Sequence, residues 1–77
     1  MRIRPITVAS KGAQATVRDA IAAEMNAPSA DARRIIRDER IKLQARIQLA
    51  ARGERTYEQV AEQAQETLRI VQIWGNR

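Results

Sequence analysis

The chain has 77 residues, with fourteen Lys and Arg against nine Asp and Glu, a formal net charge of +5, and neither Cys nor His. That composition excludes disulfides, thiolate nucleophiles, imidazole acid–base chemistry and most zinc or haem sites. It allows one domain at most, residues 1–77, with a small core: Phe is absent, there is one Trp and one Tyr, and a chain this short buries only roughly 60% of its unfolded surface.

Residues 1–9 (Met1 to Ala9) are rich in β-branched side chains and interrupted by Pro5, which predicts an extended arm over about 1–12, closed by Ser10, Lys11 and Gly12. Val17, Ile21 and Met25 then recur at i, i+4, i+8 with Ala13 and Ala20 beside them, predicting a first helix over about 13–25. Asn26, Ala27, Pro28 and Ser29 supply a stop and a cap. A second helix is expected over about 30–52, with Ala32, Ile36, Leu43, Ile47 and Ala50 on one narrow face and Gly53 ending it. Ile41 and Leu49 fall off that face. A short connection joins it to a third helix over about 56–74, opened by a capping box of Thr56 and Gln59. Tyr57, Val60, Ala61, Ala64, Leu68 and Val71 carry its stripe on to Trp74. The fold class is therefore all-α, a three-helix domain in which the second and third helices form an antiparallel hairpin.

Charge is concentrated on the middle helix. Residues 33–55 hold eight of the fourteen basic groups (Arg33, Arg34, Arg37, Arg40, Lys42, Arg46, Arg52 and Arg55) against Asp38, Glu39 and Glu54. At about 100° per residue, Arg33, Arg37, Arg40, Gln44, Gln48 and Arg52 share one arc free of acids. With Arg55, Arg69 and the Arg2/Arg4 arm, this row is the candidate nucleic-acid-binding surface: guanidinium groups would grip phosphates while Gln44 and Gln48 reach sugar or base edges. Tyr57 and Trp74 are taken up by helix stripes, leaving no stacking platform for single strands. Duplex DNA or structured RNA is the expected partner. The alternative is that the row is an ordinary solvated helix face.

The segment from Tyr57 to Trp74 resembles the helix-turn-helix of bacterial and phage DNA-binding proteins. Tyr57 to Ala64 stand at its first helix, Ala61 at its small-residue position, Val71 and Trp74 at apolar positions, and Thr67 at the cap of the recognition helix. The resemblance implies a phage or plasmid type of transcription regulator, with a turn at 65–67. Gln65 replaces the turn glycine and Glu66 an apolar plug, and the local propensities favour one continuous helix over 57–74. The arm and first helices also resemble, more distantly, ribbon-helix-helix repressors.

Ile70, Ile73 and Trp74, together with Ile41 and Leu49, predict apolar surfaces that one hairpin cannot bury. They are the candidate protein interface, for a homodimer or for a host protein bound by a helical adaptor or inhibitor. No glycine-rich phosphate loop, paired-carboxylate motif or nucleophile with an evident base is present, so no enzymatic activity, catalytic residue, metal or cofactor is expected. No apolar run approaches the roughly 20 residues of a membrane span, and the N-terminus lacks the roughly 7–15 apolar residues of a secretory signal. No membrane partner and a cytoplasmic location are the corresponding expectations.

Overall fold

A computed structural model describes the backbone of residues 8–75 and the side chains of residues 12–75. Three α-helices follow one another, α1 (Val8–Met25), α2 (Ala30–Ala51) and α3 (Tyr57–Trp74), with no strand among the described residues. Helix α1 begins five residues earlier than position 13, so residues 8–12 belong to a helix and not to an extended arm. The expected arm over 1–7, with Arg2 and Arg4, lies outside the described residues. Ser10 and Gly12 weaken a helix without stopping it: an interior glycine costs about 1 kcal/mol relative to Ala, which Ala9, Ala13, Gln14 and Ala15 around it offset.

The connections are built from the residues that marked them. Ser29 caps α2, its Oγ accepting from the Ala32 N–H at 3.1 Å. At the other end, the Glu54 N–H donates to the Leu49 carbonyl at 2.8 Å and the Gly53 N–H to that of Ala50 at 3.0 Å, the paired bonds of a Schellman cap. Gly53 sits at φ 81°, where a Cβ costs about 1 kcal/mol or more. Gly53→Ala is therefore expected to lower stability by about 1 kcal/mol in urea unfolding, although nothing lies within 4 Å of the added carbon. Both hydrogen bonds of the Thr56/Gln59 capping box open α3, each at 3.1 Å.

Each helix packs on the other two. The buried positions are Ala13 and Ala20 of α1, Ala32, Ile36, Leu43 and Ala50 of α2, and Val60, Ala64 and Thr67 of α3. Five alanines among nine positions let the rods approach closely, and Ile36, Leu43 and Val60 supply most of the apolar volume. The face expected for α2 is the one that packs, with Ile47 half-buried beside it. For α1 the outcome differs. Its centre is Ala13 and Ala20, while Ile21 is 39% and Met25 75% exposed, so α1 turns small residues inward and lets the rods approach closely.

Helix α3 runs unbroken through residues 65–67, as the local propensities favour. Thr67 caps nothing: it is fully buried in mid-helix, its hydroxyl donating to the Glu39 carbonyl of α2 and accepting from Gln63 Nε2, at 3.4 and 3.3 Å. No buried side-chain polar atom among the described residues lacks a partner, as a core this small requires.

Candidate nucleic-acid interface

Helix α2 packs on α1 along one flank and on α3 along the other. On the α1 side a shallow groove is lined by Gln14, Val17 and Arg18 of α1 and by Gln44, Ile47 and Gln48 of α2. Its floor is apolar, its rims carry amides and a guanidinium, and no acidic residue lines it. Arg33 and Arg37 continue the same arc toward the start of α2 and Arg52 stands at its far end; all three are exposed, as is Gln48. The row from Arg33 to Arg52 is about 28 Å long at 1.5 Å per residue.

Within that row the residues have different tasks. Arg40 Nε meets Glu24 Oε1 of α1 at 2.9 Å, and its Nη1 donates to Gln44 Oε1, also at 2.9 Å. The Arg40 and Glu24 side chains are only 19% and 20% exposed, so this pair is shielded from water more than any other ion pair among the described residues. It ties α1 to α2, and Gln44 with it, instead of standing open to a phosphate. Arg37 lies 3.8 Å from Asp38 and Arg52 4.0 Å from Glu54, with all four side chains about half exposed or more; such contacts hold a guanidinium weakly. Arg33 and Arg18 have no carboxylate within 4.0 Å among the described residues.

This division gives a two-way prediction. Arg40→Met strands a partly buried Glu24 and is expected to cost about 1–2 kcal/mol in urea unfolding. Arg37→Gln, at an exposed helical site, stays within about 0.5 kcal/mol of wild type. Polyanion affinity should respond in the reverse order.

The remaining candidates lie elsewhere. Arg55 shares the opposite, α2/α3 cleft with Arg46, Gln59, Glu62, Gln63 and Glu66, where the carboxylates offset its charge. Arg69 is on the outer side of α3, its Nη2 2.7 Å from both oxygens of Glu66. That hydrogen bond first, and the Glu66 charge second, raise the guanidinium pKa further. Neither residue is continuous with the α1/α2 face. Arg18 and Gln14 were missed by reading α2 alone; their i, i+4 spacing beside Val17 is the signal that places them on the flank of the first helix.

The apolar candidates also divide. The bond from Thr67 to Glu39 sets the register of the antiparallel pair, so Ile70, Ile73 and Trp74 lie level with the start of α2, while Leu49 lies at the α2–α3 turn. Ile73 is 41% exposed and Ile70, Trp74 and Leu49 are half-buried. Ile41 stands apart on the outward ridge of α2, 50% exposed. These five residues therefore make three separate places and not one surface.

No group of three or more acidic residues among the described residues is arranged to hold a metal ion, and no described helix is long and apolar enough to cross a membrane. Comparison of the chain with protein-family models, with curated proteins and with solved structures finds no match.

Proposed function

We propose that the chain is a binding protein for duplex nucleic acid, a regulator of the phage or plasmid type acting as a homodimer, and that the face shared by α1 and α2 grips the phosphates. The observation that carries this reading is the distribution of charge on that face: Arg18, Arg33, Arg37 and Arg52 are exposed, Glu24 is matched internally by Arg40, and Asp38 and Glu54 touch Arg37 and Arg52 only through long, exposed contacts of 3.8 and 4.0 Å. Guanidinium groups spaced along about 28 Å of helix span roughly one turn of a duplex. A mobility-shift titration with random duplex DNA at two salt concentrations, run beside light scattering, tests both halves. The expected result is a shift that weakens steeply with salt and a scattering mass of two chains.

A second reading rests on Ile73, whose exposure leaves an apolar edge beside Ile70 and Trp74 at the end of α3. Such an edge fits a protein contact, of a second copy or of a host protein. Ile73→Arg is expected to abolish association of two chains and leave salt-dependent nucleic-acid binding per chain in place. Loss of a protein target with no change in nucleic-acid binding would favour an adaptor.

A further inference from the structure

Ile41 stands on the outward ridge of α2. It is a large apolar side chain, 50% exposed, in the middle of the charged helix. It lies two residues from the fully buried Leu43 and so points to the opposite side of the rod. The ridge it belongs to runs Arg34, Arg37, Ile41, Ala45, Gln48, Arg52, at spacings of three and four, and every member is exposed. The centre of the ridge is small and apolar, and its two ends are guanidinium groups. Among the described residues, Arg34 is held only by an exposed contact to Asp31 at 3.4 Å. On the α3 side of the ridge Asp38, Glu39 and Lys42 line a shallow hollow with Ile41; Arg37 lies 3.8 Å from Asp38 and Arg52 4.0 Å from Glu54, both exposed contacts that hold a guanidinium weakly.

That arrangement suits a particular kind of surface. One Ile and one Ala, with Arg and Gln along the ridge and Asp38 and Lys42 beside it, fall far short of the roughly 800 Å² per partner that a stable protein interface buries. The positive ends instead complement a polyanion, and a ridge of this profile fits between two phosphate walls. The major groove of duplex DNA is about 12 Å wide, close to the 10–12 Å diameter of a helix with its side chains. The groove of an A-form RNA duplex is too deep and narrow to admit one. At the floor of the DNA major groove the exposed apolar group is the 5-methyl of thymine.

We propose, resting on the duplex-binding reading above, that α2 lies with this ridge in the major groove of DNA and that Ile41 packs on a thymine methyl. Arg34, Arg37 and Arg52 flank the contact on the phosphates, and Gln48 lies within the groove beside Ala45. The ligand is thus B-form duplex DNA containing thymine, and the site has an apolar preference in place of a bidentate base code.

The full chain, titrated by fluorescence anisotropy against three duplexes, tests this: alternating A–T DNA, the same DNA with deoxyuridine for thymidine, and alternating A–U RNA. Removing the thymine methyl takes away one buried apolar group, which is expected to weaken wild-type binding about fourfold. In Ile41→Ala the two DNA duplexes should bind alike, with RNA weakest for both proteins. Ala is the stronger helix former at an exposed site, and an unchanged helical circular dichroism spectrum confirms the fold. Equal wild-type affinity for the two DNA duplexes, a thymine preference that survives in Ile41→Ala, or RNA bound as tightly as A–T DNA would each overturn the proposal. Salt-dependent binding without a thymine effect removes this inference alone, whereas no association with any duplex removes the duplex reading as well.

Discussion

Leu43→Ala is expected to remove about 3–4 kcal/mol of stability and to lower the melting temperature by roughly 15–25 °C. Leu43 is fully buried, and the cluster around it consists of Ala13, Ala50, Val60 and Ala64, with Val17, Ile47 and Tyr57 packed against it. Alanines have no side chain to swing into a cavity. The space left by an isobutyl group can close only if whole helices shift, and Ala13 and Ala20 already hold α1 near its closest approach. The cost therefore lies near the middle of the usual Leu→Ala range of roughly 2–5 kcal/mol and well above its lower end. For a 77-residue chain, with a total stability on the order of 4–12 kcal/mol, that is a large share. Urea and thermal unfolding followed by circular dichroism measure it. Met25→Ala, at a side chain 75% exposed, is the matched control and should change stability by less than about 0.5 kcal/mol. A Leu43→Ala loss below about 1 kcal/mol would mean that this three-helix core is wrongly placed.

The combined variant Arg33→Gln, Arg37→Gln, Arg52→Gln is expected to weaken duplex binding by a factor of roughly 10² to 10³ near 0.1 M salt. Each guanidinium that neutralises a phosphate releases close to one condensed counterion, worth about one power of ten at that concentration. All three positions are exposed, and Gln has nearly the helix propensity of Arg, so unfolding should be almost unchanged. Stability and binding are thereby separated. The same substitutions at Arg55 and Arg69 should weaken binding far less, because Glu62 and Glu66 share the cleft with Arg55, and Glu66 holds Arg69.

The sequence carried the architecture further than it carried the site. Gly53, Thr56 and Gln59 announce the α2–α3 connection through backbone chemistry that is local, and the buried face of α2 follows from periodicity alone. The start of α1 was not legible, because Ser10 and Gly12 look like breakers when the run of alanines around them is discounted. The inner face of α1 was misjudged for a related reason: a wheel ranks faces by bulk, whereas α1 turns inward the alanines that permit close approach of the rods. Thr67 matches the phase of the core, yet a lone hydroxyl there is intelligible only once the Glu39 carbonyl is seen opposite. The arginine row was legible as a pattern of charge. Its division into open and engaged members was not, since Arg40 meets Glu24 across sixteen residues of chain and that register exists only in the packed molecule.

The most direct test of the central claim is the salt dependence of wild-type binding to duplex DNA, measured as an association constant from about 50 to 200 mM salt. With Arg18, Arg33, Arg37 and Arg52 each engaging a phosphate, the logarithm of that constant should fall against the logarithm of salt with a slope of about −4. Binding that is absent at the lowest salt, or a slope near zero, would contradict the assignment of the α1/α2 face to nucleic acid.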